Sequence, residues 1–372
     1  MKITFERKDT DKILADIHKL SKEIEKPVKI MEVCGTHTMA IGKSGLRQLL
    51  PENIRLISGP GCPVCVTHDS DIEKFLFLAQ QKDVIIATFG DLIRVPGNTE
   101  SLADVRGKGA QVKVVYSALA ALELARKNPD KQIVFLAVGF ETTAPTIAMS
   151  IIQAKAEGLE NYLVFVMHKL VPPALEVLFQ DPEIQIDGLI CPGHVSSIIG
   201  LEPYENVANK YLKASVITGF EPYDILQALV MLLEQITSNK PRVEIQYRRA
   251  VRPEGNPRAR EVMYSVFEVA DALWRGFGII PQSGLQLREE FQTFNVVNKF
   301  VIPEPAQEIS TIKENCVCGD ILKGIKMPDE CKLFMKACTP SKPIGPCMVS
   351  SEGACAAYYK YGGSGGNRDE TR

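Results

Sequence analysis

Short runs rich in β-branched residues recur through the first 220 residues at an almost regular interval, and this rhythm limits the fold more than any other feature. The runs are Val28–Val33, Ile54–Ile57, Val84–Thr88, Val112–Tyr116, Ile133–Val138, Tyr162–Met167, Asp187–Cys191 and Ser215–Thr218. A loop carrying Gly, Pro or Thr follows each one, and then a helical stretch. Strands alternating with helices at about 25 to 30 residues per unit predict βαβ units and parallel sheets. The loops after the first run of each half also correspond, Cys34-Gly35-Thr36-His37-Thr38 in one and Gly139-Phe140-Glu141-Thr142-Thr143 in the other. The expected fold class is therefore α/β, with two tandem Rossmann-like domains of parallel sheet, pseudo-symmetric about Asn128-Pro129-Asp130.

Residues 1–128 form the first domain on this reading, opened by an amphipathic helix within residues 1–26 whose inner face is Ile13, Leu14, Ile17 and Leu20. Residues 129–240 form the second, and the helix Tyr223–Thr237 packs on either half. Residues 241–372 form a third region. There Val243–Tyr247 reads as a strand, Arg258–Trp274 as a helix with Val262, Val266, Val269, Ala270 and Leu273 inside, and Gly276–Gly284 as a loop. The tail from Gly362 is glycine-rich and polar, and is expected to fray.

Charge and hydropathy exclude several classes. Net charge is −2 over 372 residues, so neither nucleic acid nor an anionic membrane is an expected partner. The first twenty residues are studded with charge and lack a secretory apolar core. No apolar run approaches the ~20 residues of a membrane span, the best being Ile225–Leu233. A cytoplasmic protein is expected, and there ten cysteines argue for metal or redox work over structural disulfides.

The cysteines fall into two groups. Gly59-Pro60-Gly61-Cys62-Pro63-Val64-Cys65 places two thiols in a strand-to-helix loop, where N–H groups and a helix N-terminus favour thiolate, as redox exchange or soft-metal binding requires. Cys34 and His37 follow the neighbouring strand, and His68 lies just beyond the pair. Ligands of an open parallel sheet bind beyond its strand C-termini, so these thiols are expected at one edge. Two inert buried thiols or a structural zinc knuckle would be the plainer account. Four of the five histidines follow strands. Glu141, Thr142 and Thr143, then His168 and Lys169, then Cys191-Pro192-Gly193-His194 would face the thiols across a cleft as acid–base groups. Six more cysteines, Cys316, Cys318, Cys331, Cys338, Cys347 and Cys355, fall within forty residues. Four thiolates hold an iron–sulfur cluster or a zinc, and this spacing matches neither the zinc-ribbon nor the ferredoxin form. Gly42-Lys43-Ser44 looks like the end of a phosphate-binding loop, but that motif needs a glycine where His37 stands.

Taken together, Cys34-Gly35-Thr36-His37, the Gly59–Cys65 motif, Gly139–Thr143, Cys191–His194 and the six-cysteine terminus resemble the HypD family, the maturation scaffolds of nickel–iron hydrogenases, over essentially the whole chain. The resemblance implies two similar α/β domains and a third domain holding a four-iron–four-sulfur cluster, in a setting similar to that of ferredoxin–thioredoxin reductase. Cys316, Cys331, Cys338 and Cys355 would be the cluster ligands, and Cys318 and Cys347 a neighbouring redox pair.

It further implies a complex with the small chaperone HypC, cyanide received from HypE, and onward delivery to the hydrogenase large subunit. Iron carrying cyanide and carbon monoxide would be held through Cys34, which suits a soft thiolate ligand. Cys62 and Cys65 would give two electrons by closing a disulfide, with His194 and Glu141 handling protons. The resemblance thus implies a redox-active assembly scaffold rather than a multiple-turnover enzyme. Two rivals differ in class. One is a thiol–disulfide oxidoreductase resembling ferredoxin–thioredoxin reductase, acting on a protein substrate. The other is a zinc-stabilised metabolic enzyme, which would carry zinc without iron or acid-labile sulfide.

Overall fold

In the computed structural model, which describes residues 7–304 and 315–362, the repeated runs form two parallel sheets. The strands are β1 (Val28–Glu32), β2 (Ile54–Ser58), β3 (Val84–Thr88), β4 (Gln111–Val114), β5 (Gln132–Ala137), β6 (Tyr162–Val166), β7 (Gly188–Pro192), β8 (Ala214–Thr218) and β9 (Val243–Ile245). One sheet has the order β2-β1-β7-β8-β9 and the other β4-β3-β5-β6. Every pairing within both is parallel. The glycine-rich tail beyond Gly362 lies outside the described residues.

The α/β class holds, but the strands are not dealt out in tandem halves. β1 pairs on its other side with β7, matching Ile30 with Gly188 and Glu32 with Ile190. A boundary at residue 128 would separate β3 from β5, which pair from Val84–Gln132 to Ala87–Phe135. The chain lays down β1 and β2, crosses to build the whole second sheet, and crosses back to complete the first. Strand spacing reports local units, whereas pairing depends on contacts more than a hundred residues apart.

The region after β9 also differs from expectation. The helix stops at Val266 (Pro257–Val266), and Phe267–Trp274 is a strand, β10. It pairs antiparallel with β11, Gly278–Leu287, where a loop is expected. Val262, Val266, Val269, Ala270 and Leu273 fit a helical stripe, yet Phe267, Val269 and Leu273 also suit alternation along a strand. Tertiary contact decides. Trp274 is fully buried, its indole N–H donates to Ser283 Oγ at 2.8 Å, and Gly276 and Gly278 supply positive-φ turn positions.

The hairpin ties together both crossings between the sheets. Trp274 bridges Thr67 on the first crossing, and Lys169 on the second bridges Gly284. Arg275 donates its backbone N–H to Val66 O at 2.9 Å. Its guanidinium forms a two-pronged pair with Asp69 at 2.6 and 3.0 Å. Lys169 Nζ lies 3.9 Å from Asp71 Oδ2, so both crossings and the hairpin share one set of half-buried charges.

The largest apolar core lies between the sheets, combining Met31, Ile57, Ile86, Val134, Leu136, Leu163 and Leu189. Ile321, Met348, Cys347 and Cys355 belong to the same core. The cysteine-rich segment is thus packed into the two-sheet body, and its helix Ala354–Tyr361 lies on Gly35–Ser44. On the outer face of the first sheet, Ile17 of helix Arg7–Ser21 joins Ile225 and Leu229 of helix Pro222–Thr237. That long helix therefore serves the sheet containing β1.

The Arg275–Asp69 pair is part-buried, so removing one member costs about 2 kcal/mol, less than in a fully buried pair. Arg275→Met and Asp69→Asn should each lose that much in urea unfolding. A loss below about 1 kcal/mol for both would show that the charged clamp does not hold the crossings together.

Candidate functional site

The central pairing of β1 with β2 and β7 brings three loops to one sheet edge. Cys34 ends the first as the N-cap of helix Gly35–Ser44. The second loop runs directly against it: Gly35 N–H donates to Gly61 O at 3.0 Å. A side chain at Gly61 would overlap the Cys34 backbone, so only glycine allows this approach. Cys62 then N-caps the short helix Pro63–Val66, and Cys62 and Cys65 are disulfide-bonded. The third loop brings His194, whose two ring nitrogens lie 3.9 and 3.8 Å from Cys34 Sγ. The sulfur is nearly equidistant from them, so this is contact with the ring and not one directed hydrogen bond.

Opposite stand the loops of the second sheet. A cleft of about 480 Å³ separates the two sets. Thr36, Pro63, Val64 and His194 line one side, and Phe89, Asp91, Tyr116, Phe140, Thr142 and Thr143 the other, with Glu352 between. The last residue comes from the cysteine-rich segment. Glu352 Oε1 accepts from Thr36 Oγ1 at 2.5 Å, and its backbone abuts Gly35. Two residues earlier, Ser350 Oγ lies 3.3 Å from Cys62 Sγ and 3.1 Å from Asp91 Oδ2.

Burial governs the charge states. It pushes the Cys34 thiol up to about 12, with the Glu352 carboxylate adding to the effect. The helix N-terminus beneath Cys34 does not outweigh burial and the nearby carboxylate, so Cys34 is a thiol at neutral pH. Burial likewise lowers His194 to about 4, leaving a neutral imidazole. The Cys34 proton must therefore leave when the sulfur binds a metal ion.

Other expected site residues lie elsewhere. Glu141 is buried behind the cleft, where it accepts from Val171 N–H at 2.9 Å, and burial raises it to about 7. Its neighbours Phe140, Thr142 and Thr143 face the cleft instead. His37 is buried with Nε2 2.9 Å from Gly219 O, and Phe220 stacks on both His37 and His194. His68 N-caps helix Asp69–Ala79. His168 is fully buried, and both its ring nitrogens lack a hydrogen-bond partner.

Cys316, Cys318, Cys331, Cys338 and Cys355 line one closed pocket with Ile321, Leu333, Phe334 and Met348. Cys347 is buried outside that lining. Gly345 faces the Cys316 and Cys318 sulfurs, where a side chain would intrude. An all-sulfur donor set in an apolar pocket fits an iron–sulfur group. The space between the thiols is about 10 Å³, so they would have to swing apart around one. Cys316 and Cys318 sulfurs are 3.2 Å apart, so the geometry does not separate Cys318 from the other four. Cys316 and Cys355 are both raised, first by hydrogen bonding with Cys318 and then by burial. Among the described residues, no three His, Cys, Asp or Glu side chains are arranged to hold a single metal ion.

Asp91, Ser350, Glu352 and Arg275 were not singled out from the sequence. Asp91 follows a strand at the correct edge, and Ser350-Ser351-Glu352 is the polar turn between two cysteines. Arg275 has no local signature.

Because Glu352 helps hold the Cys34 thiol neutral, Glu352→Gln should shift the midpoint of Cys34 alkylation below about 12 and speed its labelling at pH 8 several-fold. An unchanged midpoint would remove Glu352 from the control of Cys34.

Comparison with known proteins agrees over nearly the full length. Residues 8–362 match the HypD family model, described as "Hydrogenase formation hypA family". The hydrogenase maturation factor HypD of Rhodobacter capsulatus is 44% identical over 358 residues, covering 95% of each chain. Its counterpart from Cupriavidus necator is 45% identical over 343 residues, covering 89% of each. That of Azotobacter vinelandii is 45% identical over 343 residues, covering 90% of this chain and 89% of the relative. With the motifs, the two parallel sheets and this full-length match in agreement, the chain belongs to the HypD family.

Proposed function

We propose that this chain is a hydrogenase maturation factor of the cytoplasm, and that the cleft at the paired sheet edges is where an iron atom receives its cyanide and carbon monoxide ligands. The observation that carries this reading is the meeting of Cys34, His194 and the Cys62–Cys65 pair on touching loops, with the cysteine-rich segment pressed against them through Ser350 and Glu352.

Iron is the cargo. Cys34 supplies a soft thiolate once its proton has left, and the small chaperone HypC supplies a further ligand across the open cleft. Asp91 and Glu352 give the cleft carboxylates that attract a cation. Neutral His194 lies against the Cys34 sulfur without adding a positive charge that would repel the incoming metal.

Cyanide arrives from HypE on sulfur, as a thiocyanate. One thiolate of the Cys62–Cys65 pair attacks that sulfur, and the S–CN bonding pair departs with cyanide. The second thiolate closes the disulfide and expels the partner's thiolate. Two thiol protons are released, one of which returns to the departing thiolate. Electrons to reopen the disulfide come from the cysteine-rich segment. Cys316, Cys331, Cys338 and Cys355 would hold a four-iron–four-sulfur cluster, which supplies single electrons when bound. Cys318 and Cys347 would be the exchanging pair beside it. The completed group then passes to the hydrogenase large subunit.

A reductase acting on protein disulfides is the rival class. Cys62 is 3% exposed and Cys65 fully buried, so under either reading the partner's sulfur must reach them through the cleft. Multiple-turnover reduction of protein disulfides would favour the rival.

Cys34→Ala should abolish the cyanide and carbon monoxide infrared stretches of the complex with the chaperone, while the visible absorbance of the cluster persists. Full loading in that variant would refute the assignment.

A further inference from the structure

The dithiol step leaves one proton without a named carrier. When the pair closes, Cys62 or Cys65 must attack as a thiolate, and both sit in a closed, apolar setting. Besides its disulfide, two contacts converge on Cys62. Cys65 N–H donates to Cys62 Sγ at 3.1 Å, which fixes one side of the sulfur. The other side faces Ser350 Oγ at 3.3 Å.

That hydroxyl is fully engaged. A serine hydroxyl has one hydrogen to give and two lone pairs. Glu352 N–H donates to Ser350 Oγ at 3.2 Å, and the hydroxyl itself donates to Asp91 Oδ2 at 3.1 Å. The remaining lone pair faces Cys62. A proton therefore has a single direction of travel, from the sulfur to the hydroxyl and on to the carboxylate. Asp91 is held for this role, since Ser351 N–H and Oγ donate to the same oxygen at 3.1 and 2.7 Å. It also lines the cleft, so the proton reaches solvent from there.

We propose that Asp91 is the general base for Cys62, acting through the Ser350 hydroxyl, when the Cys62–Cys65 disulfide forms. The proposal rests on the dithiol reading given above. In the step, Cys65 begins as a mixed disulfide with an outgoing thiol. The Cys62 S–H bond breaks, its proton passes to Ser350 Oγ, and the serine proton passes to Asp91. The freed Cys62 electron pair forms the bond to Cys65 Sγ. The old S–S pair leaves with the outgoing thiolate, so no oxidant beyond the disulfide reagent is required.

Other ionisable groups near the pair are Cys65 on the same loop, Cys34 on the adjoining loop, His194 against Cys34, Glu352 on the turn carrying Ser350, and Cys347 on the turn Pro346–Met348 packed against Pro63–Val66. Glu352 is engaged by Thr36, and His194 is neutral over the working range. Neither makes a hydrogen bond to Cys62.

The test uses full-length protein, purified anaerobically, reduced with dithiothreitol, desalted and exposed to oxidised glutathione. Acid-quenched samples are alkylated after denaturation and digested with trypsin. The peptide from Leu56 to Lys74 carries Cys62 and Cys65 and no other cysteine, so it reports their closure alone. At pH 7, Ser350→Ala and Asp91→Asn should close about 100-fold more slowly than wild type, the lower end of what a positioned base contributes. The deficit should shrink as pH rises and hydroxide from solvent takes over removal of the proton. Wild-type rates in both variants would overturn the proposal. So would a deficit of constant size at every pH, which marks a structural effect. If the wild-type pair itself does not close, the dithiol reading fails with it.

Discussion

The chain crosses between its two sheets twice, and the geometry of the cleft depends on how those crossings are held. The first carries Cys62, Cys65, His68, Asp69 and Asp71, and the second carries Lys169. Left free, two sheets joined by two segments would hinge. The hairpin prevents this by bonding to both, through Trp274 at Thr67 and Gly284 at Lys169. Arg275 and Lys169 then neutralise Asp69 and Asp71 in a largely desolvated setting, where an unpaired charge is costly. Burial of apolar surface between the sheets gives the body its stability, but it is non-directional. The charged clamp fixes which loops face one another.

Much of this arrangement was legible in the sequence, and the division follows the range of the interactions. The β-branched runs of the two sheets report local propensity and burial, and the strands lie where those runs lie. Cys34 and Gly59–Cys65 were expected on adjoining strand ends, and Gly61 carries the reason, since its missing side chain allows the two backbones to touch. Sheet membership was not legible, because nothing near β1 says that its second neighbour is β7. The stretch from Arg258 to Trp274 was ambiguous because its apolar spacing serves both periods, and the buried contacts of Trp274 resolve it.

The site shows the same division. Cysteine and histidine announce themselves by type, so Cys34, Cys62, Cys65 and His194 could be named from their motifs. Glu141 shares that visibility, yet it is turned inward to Val171 while Thr142 and Thr143 face the cleft. Asp91, Ser350 and Glu352 are common residues whose importance comes from partners roughly 250 to 320 positions away. No local pattern encodes that distance.

The Ser350–Glu352 turn also couples two parts of the molecule that the motifs left separate. It hangs between Cys347 and Cys355, so its position depends on how the cysteine pocket is packed. Its side chains touch the Cys62 sulfur, the Cys34 helix and the cleft carboxylate at once. Gly345 and Met348 line the pocket, so the short stretch from Gly345 to Gly353 connects its wall to the cleft. Gly353 abuts the backbone of Cys347, where a side chain would collide, so that stretch has little slack. The cysteine pocket and the loops of Cys34 and Cys62 are therefore joined through one short, tightly packed turn.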